Sequence, residues 1–167
     1  MMEEAGAGQA AEIERIYRAR YGTFLRVAVA VVGDELVAEE AVNDGFVRAL
    51  RHRGGFSGRG SLEGWLWRIV VNEARRRRAA EQRIRLMPTS VTHDASATMN
   101  GHREPGALGS LVAALPERQR LALFLRYYAD LNYEAIADAL GVKVGTIAAT
   151  LHAAHASLRS ELVEVER

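Results

Sequence analysis

Cysteine is absent from the 167 residues, which excludes both a disulfide framework and a thiolate metal site. Proline occurs only at Pro88, Pro105 and Pro116, leaving long stretches free to be helical. No apolar run approaches the ~20 residues that a bilayer-spanning helix needs. The opening MMEEAGAGQAAEIER is acidic and unlike the basic start of a secretory leader, so a soluble, cytoplasmic protein is expected. Catalytic signatures are missing too: no glycine-rich phosphate loop before a lysine, no serine elbow, no carboxylate pair in an apolar setting. No enzyme activity and no cofactor are expected. His152 and His155 share a helix face but lack a third ligand, so no metal site is expected either.

What is present is arginine in one place. Residues 51–85 hold ten arginines against Glu63, Glu73 and Glu81, a local charge of +7 inside a chain whose net charge is +1. Segments on either side are net acidic. A block of one sign is the usual footprint of phosphate binding, whereas evenly scattered charge is only a solvated surface. Lys143 is the one lysine.

Helical periodicity dominates, and no strand signal or internal repeat competes with it. Ile13, Ile16, Tyr17, Phe24, Ala28 and Val32 recur at spacings of three and four, predicting a helix over about 10–32 that Gly33 closes. Asp34 is placed to cap a second helix, ending near His52, with Val37, Ala41, Phe46 and Leu50 inward and Glu35, Glu39 and Glu40 towards water. RGGFSGRGS, with four glycines in nine residues, reads as loop, and Ser61 caps a third helix bearing Trp65, Leu66, Ile69 and Val70. Trp65 shares a face with Ile69 and is expected in the core, which puts Trp67 nearer the surface. Periodicity dissolves between Arg85 and Gly106. It returns in LGSLVAALP and in PERQRLALFLRYYA, where Pro116 suits a first turn. LNYEAIADALGVKVGTIAATLHAAHASL then spells a helix-turn-helix, with Ala137 at the crossing, Gly141 at the left-handed turn and Ile147 as anchor.

These pieces, in order, resemble the extracytoplasmic-function (ECF) sigma factors of bacterial RNA polymerase. The resemblance rests on AEEAVNDGFVRAL, FSGRGSLEGWLWRIVVNEARRRR, LPERQRLALFLRYYADLNYEAIADALGV and VGTIAATLHAAHASL, and runs from roughly Ile13 to Leu162. It implies an all-α fold of two small helical domains: region 2 over 10–84, a flexible linker over 85–107, and region 4 over 108–165. Core RNA polymerase and promoter DNA are the implied partners, with an anti-sigma factor as a further one. A stand-alone helix-turn-helix regulator and a degenerate sigma-like interaction module are alternatives that the residues leave open.

The resemblance also assigns sites. The helix after Asp34 is similar to the polymerase-binding helix of region 2, giving Glu39, Glu40, Asn43, Asp44 and Val47 as polymerase contacts. The family usually carries glutamine where Asn43 stands. The glycine loop and the helix after it resemble the reader of the −10 element, implying Phe56, Ser57, Arg59, Trp67, Asn72, Arg75, Arg76 and Arg78. Gripping a melted strand needs pliable backbone, flat side chains for stacking, and cations for phosphates, and this segment has all three. The last helix gives Lys143, Thr146, Ala149, Thr150 and His152 at the −35 element. There the sequence departs from the family, which commonly reads GTVKSRLHRARARL where this chain has GTIAATLHAAHASL. Each lost cation removes part of the counterion-release term, so weak DNA binding by this domain on its own is expected.

Overall fold

The computed structural model describes residues 2–87 and 107–165. Among these residues there is no strand. The expected linker falls mainly on 88–106, outside the described residues.

Helix α1 spans Met2–Val32, longer at its start than periodicity predicts, and α2 spans Glu35–Arg51. Asp34 caps α2, its carboxylate accepting from the Val37 amide at 2.9 Å. A short 3-10 turn, Arg53–Gly55, leads through the glycine loop to α3, Leu62–Leu86, capped by the Ser61 hydroxyl accepting from the Gly64 amide at 2.9 Å.

The core of this first unit is aromatic. Phe24 of α1 stacks on Trp67 of α3, centroids 3.8 Å apart, and meets Phe46 of α2 edge-on at 5.0 Å. Trp67 is wholly buried and Trp65 only half so, which reverses the expected assignment of the two indoles. Two residues apart on a helix, they must point to opposite sides; the Phe24 ring determines which one goes inside. Gly45, in the middle of α2, costs about 1 kcal/mol of helix propensity relative to alanine. Packing explains its presence: a Cβ there would lie 2.9 Å from Val70 Cγ2 and 3.3 Å from Val70 Cα, so α2 and α3 approach closely only without one.

The second unit comprises α4, Ala107–Ala114; α5, Glu117–Leu123; α6, Tyr133–Leu140; and α7, Val144–Val165. Beyond α5 the chain widens into a π-type turn over Phe124–Tyr128, with the Ala129 amide donating to the Phe124 carbonyl at 2.9 Å. Asn132 caps α6 by accepting from the Ala135 amide at 2.8 Å. Gly141 takes φ +65°, the left-handed conformation that turns α6 into α7, and Leu121, Leu125, Ile136, Ile147 and Leu151 fill the space between them.

The two units pack against each other, α3 on α6 and α1 on α5. Arg20 of α1 donates to the Ala129 carbonyl and Arg26 to the Tyr128 hydroxyl. Arg75 of α3 pairs with Glu117 of α5 at 3.2 Å.

Candidate nucleic-acid and polymerase interface

Helix α2 presents acids above an apolar strip. Glu40, Asn43 and Asp44 are exposed and Glu39 is half-buried, while Ala38, Ala41, Val42 and Phe46 turn inward. Val47, 43 % exposed, and Leu50 continue the strip into a groove of about 680 Å³ between α1 and α2, lined also by Ala10, Ile13 and Tyr17. Asn43 is held from α1: the Tyr17 hydroxyl donates to its side-chain carbonyl at 3.1 Å, and the same side chain hydrogen-bonds Tyr21.

The acids are themselves positioned from α3. Arg77 Nη1 lies 2.7 Å from Glu40 Oε2, and the same guanidinium bonds Asp44. One step inward sits Glu73, only 3 % exposed. Arg76 Nη2 reaches both of its oxygens, at 2.7 and 2.9 Å, and Arg48 and Arg77 each lie 3.7 Å away. A buried carboxylate is tolerable only when paired and hydrogen-bonded, and this one ties α2 to α3. Sequence reading missed Glu73 and Arg77 as positioning groups. The available signal was Glu73 placed three residues before Arg76 and four before Arg77 on a helix.

The glycine loop sits at the other end of α3. Gly58 and Gly60 take φ of +74° and +77°, backbone that L side chains rarely adopt. Ser57 and Arg59 are exposed, and Phe56 lies beside Trp65 with ring centroids 5.8 Å apart. Asn72 is exposed further along α3. The structure thus brings Phe56, Ser57, Arg59 and Trp65 together and leaves Trp67 out. Trp67 cannot offer a face to a base from inside the core; the half-buried Trp65 can. Of the arginine run, Arg76 is committed to Glu73 and Arg77 to Glu40 and Asp44. Arg75 and Arg78 turn towards the second unit.

Helix α6 lies over this loop. A Cβ on Gly64 would stand 3.2 Å from Ala135 Cα, and one on Gly60 would stand 2.6 Å from Asp138 Oδ2. The loop and the first helix of the helix-turn-helix are therefore in van der Waals contact.

On α7, Ile147, Leu151 and Ala154 are buried, and the opposite face exposes Ala148, Ala149, His152 and Ala156. Thr146 and Thr150 are half-buried, with the Thr150 hydroxyl donating back to the Thr146 carbonyl at 2.7 Å. Lys143 is exposed just ahead of the helix. His155 meets the Tyr127 hydroxyl at 3.0 Å, where the family's pattern has an arginine. Among the described residues no cluster of three or more His, Cys, Asp or Glu could hold a metal ion, and no helix is long and apolar enough to cross a membrane.

Two acid-rich and arginine-rich helices, a glycine loop and a helix-turn-helix are the parts of a sigma factor, and comparison with known proteins bears this out. The sigma-70 region 2 model matches residues 16–84 and the sigma-70 region 4 model residues 106–158. The chain belongs to the sigma-70 family as a sigma factor of the ECF type. It is similar to the RNA polymerase sigma-E factors of Streptomyces avermitilis and Streptomyces coelicolor, each 29% identical over 93% of this chain, covering 87% and 89% of those proteins. The ECF sigma factor SigE of Mycolicibacterium smegmatis is 31% identical over 83% of this chain, which covers 57% of that protein. In fold, it resembles the sigma factor RpoE of Bartonella quintana, solved with the anti-sigma factor NepR: TM-score 0.68, 22% identity, covering 93% of this chain and 99% of that one. CnrH, solved with the cytosolic domain of CnrY, gives a TM-score of 0.67 at 19% identity, covering 97% and 96%.

Proposed function

We propose that the chain performs its sigma-factor role in the cytoplasm, without catalysis of its own, through three surfaces of unequal strength. The exposed acids Glu39, Glu40 and Asp44, with Asn43 and Val47, hold core RNA polymerase. Arg77 bridges Glu40 and Asp44 and fixes their positions on α2. The loop residues Phe56, Ser57 and Arg59, with Asn72, hold the melted −10 strand, and Trp65 takes the stacking role that the sequence suggested for Trp67. Lys143, Thr146, Ala149, Thr150 and His152 meet the −35 duplex, with little charge to contribute.

The observation that carries this reading is the exposed Arg59 on a positive-φ glycine turn beside the Phe56–Trp65 pair. A strand pulled from its duplex gains stacking on such a platform, on the order of 1–3 kcal/mol per base. In the closed arrangement, α6 lies against the loop and Arg75 and Arg78 face α5, so the two units must part before the strand is gripped along its length.

Reconstituted holoenzyme in run-off transcription on a promoter library tests the proposal. Initiation from a subset of templates supports it. Stoichiometric binding to core enzyme with no initiation on any template would leave only an interaction module.

A further inference from the structure

The end of α1, the last turns of α3 and the start of α5 enclose a cavity of about 270 Å³. Arg78, Glu81, Gln82, Arg85 and Arg120 line it, together with the Ala30–Gly33 end of α1. Arg78, Gln82 and Arg85 share one face of α3, being four and three residues apart. Arg120 comes from the other unit. Three guanidiniums therefore face one space that contains a single carboxylate.

Among the described residues, no ion pair engages Arg78, Arg85 or Arg120. Arg78 is half-buried and makes no ion pair or hydrogen bond among the described residues. Arg120 donates through Nη1 to the Ala113 and Leu115 carbonyls, at 2.9 and 3.2 Å, but its Nε is buried with no hydrogen-bond partner among the described residues. Burial, and next the nearby Arg78 cation, push the Arg120 guanidinium below its usual pKa, with Glu117 opposing. Glu117 itself is engaged with Arg75. A partly desolvated pair of like charges with an unsatisfied donor is costly unless an anion joins it.

We propose that Arg78, Arg85 and Arg120 form a binding site for a diphosphate group at the junction of the two units, and that a bound diphosphate holds the units together. Its charge matches three guanidiniums better than a single phosphate does, and guanidinium forks suit phosphate oxygens. The negative pole of α1 faces the same cavity and opposes any anion, so binding requires the three arginines to act together. An apolar groove of about 550 Å³, lined by Leu108, Val112, Ala113 and Phe124, adjoins at Ala30 and Arg120. It has room for an organic substituent, so the source is either inorganic diphosphate or a nucleoside diphosphate.

The test is calorimetric titration of the full chain with inorganic pyrophosphate, orthophosphate and ADP, with small-angle scattering on the same samples. Saturable binding of pyrophosphate or ADP, at least tenfold tighter than orthophosphate, and a smaller radius of gyration on binding are expected. Tighter binding of ADP identifies an organic ligand; equal binding identifies the inorganic one. Arg78→Gln and Arg85→Gln, which remove no hydrogen bond or ion pair among the described residues, should each weaken binding tenfold and abolish the compaction, whereas Arg159→Gln on α7 should do neither. Absence of saturable binding, or equal losses in Arg159→Gln, overturns the site. So does displacement of pyrophosphate by a single-stranded −10 oligonucleotide whose own affinity falls equally in Arg78→Gln, since the arginines would then be strand contacts.

Discussion

Gly64 of α3 lies against Ala135 of α6 so closely that a Cβ on the glycine would stand 3.2 Å from Ala135 Cα and 3.3 Å from its Cβ. A residue of the strand-reading helix and one of the helix-turn-helix, 71 positions apart in sequence, thus form a close-packed backbone contact in the seam between the units. Gly64→Leu should preserve α3, because leucine is the better helix former by up to about 1 kcal/mol, yet force the seam apart. Small-angle scattering should show an expanded chain with unchanged helix content by circular dichroism. Apparent affinity for a −10 single strand should rise severalfold, as the closed fraction no longer has to open.

The two indoles separate stability from binding. Trp67→Ala removes the ring stacked on Phe24 and should cost about 3–5 kcal/mol in urea unfolding. Trp65→Ala should cost much less stability, and instead weaken the hold of holoenzyme on an opened promoter by about 1–3 kcal/mol. Equal effects of the two substitutions on unfolding would contradict this division.

Gly45 offers the opposite lesson to Gly64. Alanine there improves helix propensity by about 1 kcal/mol, but its Cβ would meet Val70 at 2.9 Å, inside the first unit rather than between units. Overpacking of about 1–3 kcal/mol should win. Gly45→Ala is expected to lower the midpoint of thermal unfolding without altering the scattering profile of the folded chain.

The exposed alanine face of α7 makes a claim about salt. Ala149→Arg adds one cation on the side opposite Ile147 and Leu151, and should tighten binding to a −35 duplex. The slope of log K against log salt should steepen by about one. An unchanged slope would place the duplex elsewhere.

Much of the architecture is legible from spacing. The Asp34 and Ser61 caps, the Gly33 and Gly141 turns and the buried Ile147 follow from local rules, because each depends on neighbours three or four residues away. The indole assignment does not. Positions 65 and 67 are equally apolar, and only the long-range Phe24 ring decides between them. Likewise the Glu73 hub and the pairing of Arg77 with Glu40 depend on how α2 lies across α3, which periodicity leaves undetermined. Proximity of the glycine loop to α6 is further still from reach, since nothing local in either segment signals the other. Charge counting correctly marked residues 51–85 as exceptional, but it could not show that Arg77 faces acids of the same unit and Arg75 faces Glu117.

The most direct test is permanganate footprinting of promoter complexes formed by core polymerase with this chain, beside an Arg59→Ala/Trp65→Ala double variant. The intact chain should give reactive, unpaired thymines across the −10 element. The variant should bind core enzyme normally and lose most of that reactivity. If the variant opened the promoter as fully as the intact chain, the glycine loop would not be the strand-holding element.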